Sequence, residues 1–301
     1  MSMPLDFQHW TRRQLERVEQ ALDGWLDPQA PAGLGESMRY AVLDGGKRLR
    51  PLLVLAAAEA VQADTSDAAL RAACAVELIH AYSLVHDDMP CMDNDVLRRG
   101  KPTVHVRFGQ AQALLAGDAL QTLAFELLTP ETDHVPAAVQ ARCVQLLARA
   151  SGCRGMAGGQ AIDLASVGVA LDEHRLREMH SLKTGALLQC AVELGVACAP
   201  DVMAMTRQAL GRFGQALGLA FQVVDDILDV TADSATLGKT AGKDAAAAKP
   251  TYVSLMGLPA AQQLADELVA QAHEALEASG LPEARLMALR ALAGTVVNRT
   301  H

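Results

Sequence analysis

Four aspartates fall between Asp87 and Asp95 in the stretch HDDMPCMDND, and Pro90 sits among them. A second acidic knot, DDILD, runs from Asp225 to Asp229 in apolar surroundings. Carboxylates gathered in partly buried ground repel one another and are costly unless something neutralises them. Oxygen donors without a zinc-spaced Cys/His pattern suit a hard cation. Mg²⁺ typically takes one or two carboxylates, several waters and substrate phosphate oxygens. Two such clusters facing each other would hold several Mg²⁺ ions around a phosphorylated ligand.

The spacing within each knot says how it must be carried. Asp225 and Asp229 stand at i and i+4 and share a helix face, with Asp226 beside them and Gln222 a turn earlier. The surrounding LAFQVVDDILDV has no Lys or Arg, whereas a solvated face would mix signs; an acidic surface patch is the competing reading. Asp87 and Asp93 are six residues apart, roughly 600° on a continuous helix, and would point apart. Pro90 cannot continue a regular helix. The helix ending LIHAYSLVHDD is therefore expected to bend or stop, with MPCMD looping Asp93 back toward Asp87. Negative charge at a helix C-terminus opposes the macrodipole, a local penalty that argues for function.

Basic residues cluster where an anion would need them. GGKRLRP places Lys47 and Arg50 after a Gly-Gly break, and LRRGKPT places Arg98 and Arg99 after the first knot. SLKTG offers Lys183 and Thr184, and LGKTAGKDAAAAKP offers Lys239, Lys243 and Lys249. Arg pairs with phosphate bidentately; Lys acts as a compact charge. His80 lies two helical turns before Asp87 on one face. No GxSxG, Walker A or dinucleotide-binding GxGxxG accompanies these residues. The chemistry expected is metal-assisted loss of a phosphate group, not covalent catalysis.

The elements that must position these groups are helices. QALLAGDALQTLAFELL, VQARCVQLLARA, GALLQCAVELGVACA and ADELVAQAHEALEAS repeat apolar residues at three- and four-residue steps, and strand-like alternation is nearly absent. Roughly ten or more helices with short connectors are predicted, in one all-α domain over residues 1–301. Hydrophobic residues make up 50% of the chain, which argues against disorder; aromatics are 3%, so Ala, Leu, Val and Met must build the core. The net charge of −9 makes nucleic acid an unsuitable partner. None of the six cysteines forms a CxxC, and free thiols in a reducing compartment are expected. No signal core precedes the first helix, and no apolar run reaches about 18 residues, so a cytoplasmic protein without membrane insertion is expected.

The chain resembles the short-chain trans-prenyltransferases, within them the bacterial farnesyl diphosphate synthases. The residues that carry the resemblance are GGKRLRP, IHAYSLVHDDMPCMDNDVLRRGKPTVH, GDAL, GMAGGQAIDL, KTGALL, FQVVDDILDV and LGKTAGKDAAAAKPTYVSLMG, in order along nearly the whole chain. The first knot has the DDx₄D form, the second the plain DDxxD form. The resemblance implies an all-α isoprenoid-synthase bundle with a central cavity flanked by two Asp-rich helices, acting as a homodimer. Asp87 and Asp93 would bind two Mg²⁺ and Asp225 a third, with Asp88, Asp226 and Asp229 in support and Mn²⁺ as a substitute. Arg98, Lys183, Thr184, Gln222, Lys239 and Lys249 would hold the allylic diphosphate. Lys47, Arg50, His80 and Arg99 would hold isopentenyl diphosphate. Gln160 and Asp163 would line the pocket; Lys243 and Asp244 fit the pattern without an assigned contact. Asp87, Asp93, Asp225, Lys183 and Arg98 would carry the catalysis.

The implied reaction is ionisation of an allylic diphosphate, attack by the double bond of isopentenyl diphosphate, and loss of a proton to the released diphosphate. Product length would be set about one turn before Asp87. Ser83, at i−4, faces the same way but is too small to block a tunnel. Tyr82, at i−5, lies off that face by helical rotation, but in the family resembled an aromatic there with a two-residue insertion accompanies C15 products. A geranylgeranyl or longer-chain synthase, a terpene cyclase, a silent regulatory subunit and a Mg²⁺-dependent phosphohydrolase are the competing readings.

Overall fold

The computed structural model describes residues 6–43, 45–62, 67–132, 134–169, 171–231 and 251–297. Lys239, Lys243, Asp244 and Lys249 lie outside the described residues. Among those described, α-helices dominate: α1 (Phe7–Trp25), α2 (Leu34–Val42), α3 (Leu49–Val61), α4 (Asp67–Asp87), α5 (Val104–Phe108), α6 (Gln110–Leu128) and α7 (Ala137–Ser151) form the first half. Then come α8 (Met156–Ala165), α9 (Glu173–His180), α10 (Ala186–Ala197), α11 (Ala204–Thr231), α12 (Tyr252–Met256), α13 (Leu258–Glu277) and α14 (Glu283–Val297). A ribbon of two antiparallel two-residue strands, β1 (Leu97–Arg98) on β2 (Lys101–Pro102), is the one sheet among the described residues. The four apolar repeats singled out above correspond to α6, α7, α10 and α13.

Helix character decides which elements are central. A helix that is apolar all round has no face to give to water and must be enclosed. LRPLLVLAAAEAV of α3 and ALLQCAVELGVA of α10 come close to this, and nine residues of each are buried. They cross at Gly195, where a Cβ would stand 2.2 Å from the Val54 carbonyl oxygen, so only glycine allows that approach. α4 packs against α3, α6 and α10. It is long and apolar enough to span a membrane, yet 67% of its apolar window is enclosed by protein, as befits a core helix. α1 is amphipathic and closes one side with Trp10, Val18 and Leu22, its start capped by Asp6 accepting from the His9 amide at 3.1 Å.

A second apolar cluster joins Leu176, Met179, Val223, Val224, Ile227, Tyr252, Ala265 and Leu268. It draws α9, α11, α12 and α13 together and lies behind the DDILD stretch. Between α9 and α10 the chain stays helical but Ser181–Gly185 adopt the wider π-helical hydrogen bonding. Such single turns carry one residue more than an α-turn, and they recur at functional sites.

Candidate active site

α4 ends at Asp87 and the chain turns at Met89–Met92 around Pro90. The Asp93 amide donates to the Asp87 carbonyl at 2.9 Å and the Asp95 amide to that of Asp88 at 3.1 Å. The loop thus brings Asp93 back to Asp87, as the proline required. Burial pushes the Asp87 carboxyl up to about 6; Lys183 opposes the shift, Asp93 adds to it, and Arg98 and Asp88 act more weakly in opposite senses. Asp88 is almost fully buried, and burial raises its pKa too. Arg98 meets it in a fork, Nε at 2.8 Å from one oxygen and Nη2 at 2.6 Å from the other. Arg98 in turn is fixed by the β1–β2 ribbon.

The second knot divides its labour differently from the simple stripe expected. Asp226 and Asp229, 2% and 4% exposed, point inward, and Asp225 is half-buried. Gln222 bonds Asp226, not Asp225: its amide donates to Oδ1 at 2.9 Å, while the Tyr252 backbone amide donates to Oδ2 at 2.8 Å. The physical reason lies 26 residues downstream, where α12 presents an amide that captures the inward carboxylate. Asp229 Oδ1 is buried with no hydrogen-bond partner among the described residues.

A cleft of about 370 Å³ runs beside Asp87 of the first knot. Asp87, Arg50, His80, Lys183 and Thr184 stand around it with Gln160, and Tyr82, Ser83, His86, Met156 and Leu187 supply further wall. Lys183 Nζ is held by Asp163 at 2.6 Å, and Thr184 Oγ1 donates to Gln222 Oε1 at 3.0 Å. Hydrogen bonds therefore link the cleft wall at Thr184 through Gln222 to Asp226, while the aspartates of the second knot are not part of the cleft's lining. Both polar atoms of the Gln160 amide are buried without a hydrogen-bond partner among the described residues. His80 lines this cleft and a smaller cavity bordered by Arg48, Arg98 and Arg99. Burial first, then Arg50 and Arg99, lower its pKa well below the ordinary histidine range. Lys47 remains exposed at the rim, outside the lining of either cavity.

Arg48 is a residue the sequence reading passed over. Its backbone is left-handed, with φ 46°, and its guanidinium is buried against Glu77 at 2.8 Å, Glu19 at 2.7 Å and the Val42 carbonyl at 2.6 Å. Burial works against its charge, but the two glutamates outweigh it and leave its pKa raised. Arg99, also left-handed, donates to the Gly45 carbonyl and passes so close to Gly46 that a Cβ there would stand 2.9 Å from its Nη1. These contacts tie GGKRLRP to the ribbon. His86 was missed too. Its Nε2 meets the Leu114 carbonyl at 3.1 Å, and its ring stands edge-on to Tyr82 at 5.7 Å. Gly117 makes room for it, since a Cβ there would sit 2.1 Å from Nε2.

The donor set fits Mg²⁺. Among the described residues no three His, Cys, Asp or Glu side chains converge as a ready-made metal cage. Paired carboxylates beside a cleft rich in Lys and Arg leave coordination to be completed by phosphate oxygens, which is the way Mg²⁺ is ordinarily held. Oxygen ligands at one mouth and an apolar wall behind them define an enzyme that handles an amphiphilic diphosphate.

The chain belongs to the polyprenyl synthetase family, whose profile matches residues 31–280. It is 49% identical over 92% of its length to a probable farnesyl diphosphate synthase of Sinorhizobium fredii, covering 84% of that protein. It is 46% identical over 98% of its length to geranylgeranyl pyrophosphate synthase 7, chloroplastic, of Arabidopsis thaliana, covering 85% of it. A geranyltransferase of Helicobacter pylori, solved in complex with magnesium and isoprenyl diphosphate, shares the fold with a TM-score of 0.86. That match has 34% identity and covers 99% of this chain and all of the other. The chain is a prenyltransferase of all-α architecture.

Proposed function

We propose that this enzyme joins isopentenyl diphosphate head to tail to dimethylallyl and then geranyl diphosphate and releases (2E,6E)-farnesyl diphosphate and diphosphate. The observation that carries the reading is the cleft that starts at Asp87, Lys183 and Thr184 and is walled by Tyr82 and Ser83. Asp87, Asp93 and Asp225 would hold three Mg²⁺, with Mn²⁺ as a substitute. Bound Mg²⁺ supplies positive charge to the departing diphosphate. Lys183, oriented by Asp163, and Thr184, oriented by Gln222, bind that diphosphate on one wall; Arg98 joins them from the border of the smaller cavity, and Lys239 and Lys249, outside the described residues, are assigned to the same diphosphate. Arg50, neutral His80 and Arg99 bind isopentenyl diphosphate on the other, with Lys47 contributing its charge from outside the cavity lining. Fixed charges aimed at the leaving oxygens favour C–O ionisation. The apolar wall of Met156, Leu187 and Tyr82 shields the allylic cation from water until the double bond attacks. The C2 proton then leaves with the released diphosphate.

Tyr82, nine-tenths buried on the cleft wall, would stop the chain at fifteen carbons. A geranylgeranyl product is the second reading, favoured by the likeness to the Arabidopsis protein. The chain acts as one domain in the cytoplasm and pairs as a homodimer; Val106, Leu114 and Leu115, each about half exposed on α5 and α6, are an apolar face for a second copy. The test is incubation with dimethylallyl and isopentenyl diphosphates and Mg²⁺, followed by chromatography of the dephosphorylated products. A C15 alcohol supports the proposal. A C20 alcohol overturns the product assignment, and no elongation overturns the activity.

A further inference from the structure

His180 is the last residue of α9 and directly precedes the π-turn that carries Lys183 and Thr184. It is 6% exposed, and its ring stacks on Tyr252, the first residue of α12, at 5.4 Å and 28°. From Tyr252 the contacts close a circuit. The Tyr252 amide holds Asp226, Asp226 holds Gln222, and Gln222 accepts from Thr184, four residues after His180. Three segments, the α9 end with its π-turn, α11 and α12, are locked to one another through these four links.

The polar atoms of the two rings make no close hydrogen bond in it, although Gln222 stands near enough to the His180 ring to favour its charged form against burial. His180 Nδ1 and Nε2 and the Tyr252 hydroxyl are buried with no hydrogen-bond partner among the described residues. Burial lowers the His180 pKa to about 4, so the imidazole is neutral, and its Nε2 stays 4.0 Å from Asp226 Oδ2. What the pair contributes is two flat faces at a fixed spacing, an arrangement that aromatic rings favour and aliphatic side chains cannot reproduce. A single π-turn interrupts the regular α-helical ladder on either side of it, and the stack braces that interruption from outside.

We propose that the His180–Tyr252 stack is a positioning device that holds the π-turn against α11, so that Lys183 and Thr184 stand at the diphosphate mouth of the cleft. His180 and Tyr252 touch no substrate. The inference rests on the proposed reading of Lys183 and Thr184 as ligands of the allylic diphosphate. The experiment compares Tyr252→Phe, Tyr252→Leu, His180→Phe and His180→Leu with Lys183→Ala, measuring KM for each substrate, kcat and thermal midpoint. Both Leu variants are expected to raise the allylic KM about tenfold and leave the isopentenyl KM within about twofold. Both Phe variants keep a ring face and stay within about twofold of the parent on every constant. Leu variants that merely melt earlier, with an unchanged allylic KM, overturn the proposal in favour of plain packing. Phe variants as impaired as the Leu ones overturn it in favour of the polar atoms. Should the Leu variants not fold, Tyr252→Met and His180→Met fill the volume without a ring face and carry the same expectations. If Lys183→Ala leaves the allylic KM unchanged, the ligand reading fails; if it raises that KM and the Leu variants do not, only the positioning fails.

Discussion

Replacing Asp87 by asparagine is expected to stabilise the metal-free protein while ending turnover. Burial raises the Asp87 carboxyl from 3.8 to about 6, a shift of roughly two units. Each unit is about 1.4 kcal/mol, so full ionisation costs at most about 3 kcal/mol; solvent screening at this half-buried position reduces that to about 1.5 kcal/mol. The folded pKa lies above the unfolded one. The contribution to stability is therefore complete below about pH 4 and is lost as pH rises through 6. Asparagine never ionises, so Asp87→Asn keeps what the parent loses. In EDTA at pH 8 the variant should melt about 3 °C higher, and the advantage should shrink to about half at pH 5. Saturating Mg²⁺ with inorganic diphosphate should reverse the order, because only the parent gains full ligand stabilisation. The assay is thermal melting across this pH range with and without the ligands. A variant less stable than the parent in EDTA at pH 8, or an advantage equal at pH 5 and pH 8, refutes the account of Asp87 as a desolvated carboxylate awaiting a cation.

Excess chelator should abolish product formation, with recovery on adding Mg²⁺ or Mn²⁺; full activity in EDTA would end the metal reading. Arg98→Ala leaves the Asp88 carboxylate buried without its fork and should cost about 3 kcal/mol in urea melts, whereas an unchanged midpoint would mean that water reaches Asp88. Lys183→Ala should raise KM for the allylic substrate roughly tenfold or more and spare isopentenyl diphosphate; Lys47→Ala and Arg50→Ala should do the opposite, and equal effects on both substrates would dissolve the two-wall assignment. Tyr82→Ala should shift the C15 product toward C20 and beyond, read by chromatography, and an unchanged C15 peak moves the end of the tunnel elsewhere.

The first acidic knot was legible because one residue, Pro90, left the chain a single way to reconcile Asp87 with Asp93. The helical character of α6, α7, α10 and α13 was equally plain from their apolar spacing, but that α3 and α10 form the centre of the bundle was not read from the sequence. The second knot was only half legible. Periodicity correctly put DDILD on a helix, but which carboxylates turn inward depends on an amide at Tyr252 that local spacing cannot reveal. Tyr82 lines the same cleft as Ser83 although rotation along α4 separates it from Asp87, because the cleft wraps around the helix instead of following one stripe. Arg48 sat unnoticed between Lys47 and Arg50; identical charges in one short run gave no sign that one of the three is buried against two glutamates. The π-turn left no trace either, since SLKTG has nothing in its composition that separates it from an ordinary helical turn.

That turn makes the protein sensitive to length as well as to chemistry between residues 181 and 185. Removing Leu182 would deliver a continuous α-helix from α9 to α10. Because the π-turn holds one residue more than an α-turn, α9 and α10 would keep nearly their present phase, and the change would fall on the turn itself, which carries Lys183 and Thr184. Every side chain named for catalysis would still be present, and the fold would have gained a more regular helix. Random substitution libraries would not find this weakness. A scan of single-residue deletions would expose it, as a position where the chain tolerates many different amino acids but not one fewer.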